Sequence, residues 1–343
     1  VMRTTVFRRT PSPVALSSSR GVRTRFRRCA VLLLCCIVLP VQAKFRIRTV
    51  SVGGRTYLLL RDIAQYYGME CRQSRSAGRL VSRYSDLRFT VDQRDSDIND
   101  VSVHLSLAPA RWRENVVVSE ADFRWLVDPI LRAAALPSGT VRTVVLDPGH
   151  GGRDEGARGR FIREKALTLE VARRTAARLD DRGYRVFLTR TADQYVSLRE
   201  RAAIARRCRA DVFISLHANS VGTPSVEGVE TFLLPPPGTA STYSTEVSDA
   251  ASVGNNHDKA NARLAYEVQK HVVRRTGCRD RGTKHARFLV LRESPCPAAL
   301  VEMGFLSNRA EERRLNTADY QNRVASGVVA AIVHFHRALA ERR

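Results

Sequence analysis

Three short stretches carry residues suited to metal-assisted hydrolysis. In Val144-Val145-Leu146-Asp147-Pro148-Gly149-His150-Gly151-Gly152 an apolar run stops at a turn of proline and glycines, and a histidine stands on the turn. In Phe213-Ile214-Ser215-Leu216-His217-Ala218-Asn219 a second apolar run ends in a histidine. In Ala299-Leu300-Val301-Glu302-Met303-Gly304-Phe305 a third ends in a carboxylate. Glycines let the backbone pass close to a ligand, and a strand holds the side chain at its end in a fixed direction. Glu164 opens a helical pattern shortly after the His150 turn. Two histidines and one carboxylate make a catalytic zinc set that leaves a coordination position for water. Zinc brings the pKa of such a water toward ~7 and polarises a carbonyl. A second carboxylate can take the water's proton and deliver it to a leaving amine. Singly, each residue has a plainer account: a structural histidine, a favourable acid in a helix's first turn, or a carboxylate paired with an arginine.

The elements that position these residues argue for the joint account. After residue 140, strands and helices alternate, which predicts an α/β domain of three layers, α/β/α, around a mostly parallel twisted sheet. The apolar strand candidates are Val141–Leu146, Arg185–Leu188, Val212–Leu216, Val229–Leu234 and Ala298–Val301. The helix candidates are Glu164–Arg182, Ser197–Arg206, Ala260–Thr276, Arg309–Leu315 and Tyr320–Ala340. In the last, Val324, Val328, Ala331, Ile332, Phe335 and Leu339 recur at helical spacing as one buried stripe. In such a sheet the carboxyl ends of parallel strands share one edge, and ligand sites collect outside it. His150, His217 and Glu302 therefore meet there, and Glu164 opens toward the same edge. From Pro235 to about Asp258 the chain is polar and reads as a surface insertion.

Residues 45–136 differ in character and predict a small α+β accessory domain, joined by the linker Ala133–Gly139 to a domain over 140–343. Its segments Gly54–Ile63 and Glu114–Phe123 each read as a strand running into a short helix, with Ser119 and Asp122 as a capping pair in the second. The region resembles copper-amine-oxidase N-terminal-like domains. It holds one histidine, His104, which reads as structural and gives copper no ligand set.

Residues 1–43 read as an export signal. Arg20, Arg23, Arg25, Arg27 and Arg28 precede the apolar run Cys29–Leu39, which is too short for the ~20 residues that span a bilayer, and the expected cut follows Ala43. An uncut anchor, or lipidation at Cys35 or Cys36, would instead tie the chain to a membrane. The net charge is +23, and eight arginines before Ala43 leave 49 basic against 34 acidic residues beyond it. That excess suits a polyanion, or simply an arginine-rich surface; an export signal argues against nucleic acid. Cys71, Cys208, Cys278 and Cys296 lie beyond Ala43 without a C-x-x-C pair, which argues against a cysteine zinc site. Cys278 with Cys296 is the first disulfide candidate, and buried free thiols are the alternative.

The stretch 141–343 resembles the type 3 family of zinc-dependent N-acetylmuramoyl-L-alanine amidases, the AmiC-like and CwlV-like wall hydrolases. The blocks that carry the resemblance are Leu146–Gly152, Glu164-Lys165, Ser215–Asn219, Gly228–Phe232, Asp280-Arg281-Gly282 with Phe288–Arg292, and Val301–Asn308. The resemblance implies one zinc per chain on His150, Glu164 and His217, Glu302 as catalytic carboxylate, and peptidoglycan as partner. The implied bond is the amide between the lactyl group of N-acetylmuramic acid and L-alanine. Asp147 and Asn219 are then expected behind the histidines, since ligand imidazoles need a partner on the second nitrogen. Arg281, Lys284, Arg287 and Arg292 are expected to meet an acidic stem peptide. Some members insert an inhibitory helix answering to an activator protein; the Pro, Gly, Ser and Thr of residues 235–257 favour a loop. An exported zinc peptidase cutting another wall bond, or a non-catalytic wall-binding protein, are the competing functions.

Overall fold

The computed structural model describes residues 3–6, 46–244 and 246–341; the expected export segment and Cys29, Cys35 and Cys36 lie outside these residues. No helix among the described residues is long and apolar enough to cross a membrane.

Elements that position the site all come from the second half of the chain. They are β1 (Thr143–Pro148), α1 (Glu164–Asp180), β2 (Arg185–Leu188), α2 (Leu198–Arg207), β3 (Val212–Asn219), β4 (Val229–Leu233), α3 (Asp258–Thr276), β5 (Asp280–His285), β6 (Ala298–Phe305), α4 (Arg309–Leu315) and α5 (Ala318–Ala340). The strands lie in the order β2-β1-β3-β6-β4-β5. All neighbours are parallel except β6 and β4, where Glu230 stands opposite Glu302. β1 is buried along its whole length, as a central strand covered on both faces requires. Its alternation sorts the layers. Val144 and Leu146 join the core beneath α1, α3 and α5, while Val145 faces Phe213, Leu300 and Ala205 of α2 on the other side. Val324, Val328, Ala331, Ile332, Phe335 and Leu339 of α5 are all buried in the first of these cores.

β5 was not among the apolar strand candidates. Its sequence, Asp280-Arg281-Gly282-Thr283-Lys284-His285, is polar, yet Thr283, Lys284 and His285 are buried because β4 covers one side and the N-terminal region the other. Thr283 stands beside Val103 in a parallel pairing, and Asp280 Oδ2 accepts from the Ser102 amide at 2.9 Å. Beyond Val101–His104 the same sheet continues as an antiparallel meander through Asp95–Ile98, Asp86–Thr90, Ala77–Val81 and Glu70–Gln73, eleven strands in all. Side chains from both halves share one core, Ile47 and Leu58 at one end and Ile332 at the other.

The two similar units of the N-terminal region are present as strand then helix, Arg55–Leu59 into Leu60–Tyr67 and Asn115–Ser119 into Glu120–Asp122, with the two strands paired antiparallel. Ser119 caps the second helix, its hydroxyl accepting from the Asp122 amide at 2.9 Å. The insertion after β4 holds a two-stranded ribbon, Thr239–Ala240 with Val247–Ser248, and a 3-10 turn at Val253–His257; no α-helix forms among its described residues. The candidate Cys278–Cys296 bridge is absent, and the alternative of free thiols holds for the described cysteines. The two thiols sit in separate cores, Cys278 against the Tyr320 hydroxyl at 3.0 Å and Cys296 beside Ser294, and all four described cysteines are free.

Candidate metal centre

The turn that carries His150 is built by two buried arginines. Arg190 and Arg201 are 1% and 2% exposed. Arg190 donates to the carbonyls of Pro148 (3.0 Å) and Gly149 (2.9 Å), and Arg201 to those of Pro148 and His150 (2.7 Å each). Asp147 balances Arg201 at 2.7 Å and accepts from Thr189 and Ser215. Asp147 therefore anchors the floor of the turn and does not back a histidine, contrary to expectation. Its charge is consumed by a guanidinium that arrives from α2. So clamped, His150 adopts a left-handed backbone with φ of 62°, which few residues other than glycine favour.

Glu164, the first residue of α1, brings the three groups together. Its Oε2 accepts from the Ala157 amide at 2.7 Å and its Oε1 from the Ala218 amide at 3.0 Å. The same Oε1 lies 2.9 Å from His217 Nδ1 and 3.1 Å from His150 Nε2. The imidazole rings are 4.9 Å apart and nearly perpendicular. One ligand atom from each residue falls within 4.8 Å of the others. Two glycines make the room. A Cβ on Gly149 would come within 2.3 Å of the His217 ring, and one on Gly156 within 2.5 Å of Glu164 Oε2. Burial pushes the Glu164 carboxyl up, but the hydrogen bonds and charge of His150 and His217 outweigh it and hold the group well below the usual carboxylate range.

His150 keeps its second nitrogen, Nδ1, 2.9 Å from Asp154 Oδ2. A carboxylate on the rear nitrogen fixes the tautomer and aim of a ligand imidazole. Two imidazoles and an ionised carboxylate converging on one point, one imidazole braced from behind, fit a divalent cation of the zinc class. Asp154 is thus the partner that Asp147 was expected to be, and its place in the loop after the turn carried no sequence signal.

Glu302 stands next to His217 in the parallel register of β3 and β6. Its Oε2 is buried and has no hydrogen-bond partner among the described residues. Burial, and then the carboxylates of Glu164 and Glu230, push its pKa well up. Glu230 is its opposite in every contact. Asn219 donates to one oxygen at 3.0 Å, while Arg281 (2.9 Å) and Lys284 (2.5 Å) hold the other. Asn219, Arg281 and Lys284 thus meet at Glu230, and the Asn219 side chain hydrogen-bonds to Glu230 and the Ser220 amide and not to a histidine. Lys284 also donates to the Tyr243 hydroxyl at the tip of the insertion. Arg287 is occupied in holding the insertion's ribbon, donating to the Thr239 carbonyl at 2.7 Å. Arg292 is exposed, and its side chain has no hydrogen-bonding partner among the described residues. Glu230 went unassigned in the sequence because a charge inside Val229–Leu233 reads as the outward member of an alternating strand. Its burial at 1% exposure follows from neighbours on both sides.

Known proteins share this half of the chain. The profile of the N-acetylmuramoyl-L-alanine amidase family, Amidase_3, matches residues 144–334. N-acetylmuramoyl-L-alanine amidase LytC of Bacillus subtilis is 34% identical over 195 residues, which is 57% of this chain and 36% of LytC. The amidase AmiA of Escherichia coli is 30% identical over 59% of this chain and 79% of its own length. Among solved structures, the amidase AmiC2 of Nostoc punctiforme is 35% identical, covers 58% of this chain and 99% of that one, and superposes with a TM-score of 0.49. The profile takes in β1 through most of α5, and with it the converging His150, Glu164 and His217: the chain belongs to the N-acetylmuramoyl-L-alanine amidase family.

Proposed function

We propose that this protein hydrolyses the amide between N-acetylmuramic acid and the L-alanine of the stem peptide in peptidoglycan, as a zinc enzyme exported to the cell wall. Residues 140–343 form the catalytic unit in this proposal, and residues 45–136 an accessory unit docked on it. The observation that carries it is the convergence of His150, Glu164 and His217 at the sheet edge with the unpartnered carboxyl of Glu302 beside them. One zinc ion, held by those three side chains, would supply a polarised carbonyl and a water acidified toward ~7.

The rest falls to the chain's own groups. Asp154 keeps the His150 ring aimed, and the amides of Ala157 and Ala218 hold the Glu164 carboxylate in place. Glu302, acting in its carboxylate form through an oxygen free to bond, takes a proton from the attacking water and returns it to the departing alanine nitrogen. Arg281, Lys284 and Arg287 are committed within the protein, which leaves Arg292 as the member of that basic group able to meet a stem-peptide carboxylate. The amidase match argues for a wall substrate over nucleic acid, and any membrane tie rests on residues before Ala43.

Mass analysis of products released from purified peptidoglycan tests the proposal. Stem peptides with a free L-alanine amino terminus are expected. Fragments cut within the peptide would overturn it in favour of a wall peptidase, and an intact substrate in the presence of zinc would favour a wall-binding role.

A further inference from the structure

A second set of metal-ligating side chains lies between α3 and α5, sharing no residue with the first. Glu267 and His271 stand one helical turn apart on α3, and His334 projects from α5. One ligand atom from each falls within 4.8 Å of the others. The helices are brought together by Gly327 of α5, where a Cβ would come within 2.8 Å of Val272 Cα and 3.0 Å of the His271 carbonyl. The His271 and His334 rings consequently lie 4.4 Å apart.

What these groups lack points to a ligand. Arg263 takes one oxygen of Glu267, Oε1, at 2.8 Å. The other, Oε2, is buried with no hydrogen-bond partner, and so is His271 Nε2. The two atoms lie 3.3 Å apart without the alignment of donor and acceptor. The contact between them is an ion pair and not a hydrogen bond, and a ligand nitrogen of His334 lies within reach of the same group. Glu267 is 2% exposed, so its unsatisfied oxygen is shut away from water. A cation between Glu267 and His271 would satisfy both atoms at once.

We propose that Glu267, His271 and His334 form a second metal site, taking a transition-metal divalent ion of the zinc class and fastening α3 to α5. Two imidazoles and one carboxylate select metals that favour nitrogen, zinc, nickel or copper. Magnesium and calcium need a shell of oxygens, which one carboxylate already shared with Arg263 does not supply. Lys270 and Arg337 add positive charge around the site, which further disfavours hard cations held by charge alone. His334 is exposed and gives the ion its route in. Ion binding to the folded state only then adds stability by mass action.

The test strips the full chain with chelator, reloads it with zinc chloride, desalts it and counts zinc by elemental analysis. About two ions per chain are expected for the wild type and about one each for His217→Ala and His334→Ala, with loss of both in the double variant. His271→Ala is expected to match His334→Ala, and because His334 is exposed its variant folds. In His217→Ala, added zinc should raise the thermal midpoint while magnesium leaves it unmoved, and His334→Ala on that background should abolish the rise. A wild type holding one ion that His217→Ala removes would overturn this site and leave the first standing. Loss of an ion on His334→Ala but none on His217→Ala would do the reverse.

Discussion

Glu230 and Glu302 face each other across the one antiparallel junction of the catalytic sheet, β4 against β6, and their surroundings are opposite. Glu230 is fixed by an asparagine, an arginine and a lysine, whereas one oxygen of Glu302 has no partner among the described residues. The first carboxylate is thereby held still by three partners, while burial, then Glu164 and Glu230, push the pKa of the second well up. In the proposed reaction the pair divides structural from chemical work between neighbouring positions of the same sheet.

That division makes Glu302 the residue to replace for chemistry. Glu302→Gln keeps the shape and leaves His150, Glu164 and His217 untouched, so zinc content should stay at the wild-type level. Turnover of purified peptidoglycan should fall by about 10²–10⁴, the usual contribution of a placed general base. Wild-type turnover in the variant, with zinc retained, would remove Glu302 from the mechanism.

Glu230 should behave differently. Glu230→Gln leaves Lys284, 7% exposed, buried beside Arg281 with no carboxylate to answer either. Breaking a buried pair from one side costs about 3–5 kcal/mol. The thermal midpoint should drop by several degrees whether or not zinc is present. An unchanged midpoint would show that water already compensates these cations.

How much of this could be read from the sequence follows from where each signal lay. The sheet-edge places of His150, His217 and Glu302 were legible because each ends an apolar run long enough to be a buried strand, and Glu164 because it starts a long helix. β5 was not, since its burial comes from strands on either side and leaves no apolar trace in Asp280–His285. Asp147 was misjudged because Thr189, Arg201 and Ser215, which decide its role, come from distant segments. Asp154 was missed because only the left-handed bend at His150 folds its loop back onto the ring. Tertiary partners of charged groups were the part that spacing alone could not supply.

Asp154 offers a measurable consequence of that bend. Asp154→Asn keeps a hydrogen-bonding group near His150 Nδ1 but removes the charge, and Asp154→Ala removes both. Loss of such a rear partner commonly weakens metal binding about 10–100-fold. Competition with a chromogenic chelator should rank zinc affinity as wild type, then Asp154→Asn, then Asp154→Ala. Equal affinities would show that the contact does not brace the ligand.

The last expectation concerns acid stability and involves none of the proposed metal ligands. His285 on β5 is 3% exposed, and its Nδ1 has no partner among the described residues. Burial, then the charges of His104, Arg94 and Arg287, push its pKa down to about 3. The unfolded chain returns it to about 6.5. Between these values the unfolded state binds a proton that the folded state refuses, so the contribution to stability is complete above about pH 6.5 and drains away as pH falls toward 3. One proton of difference corresponds to a slope of about 1.4 kcal/mol per pH unit. Urea unfolding of the full chain at successive pH values should show this slope between pH 6 and 4, and His285→Gln, which cannot titrate, should flatten it by that amount. A slope identical in the two proteins would mean that His285 takes up its proton without unfolding the joint between β5 and the N-terminal strands.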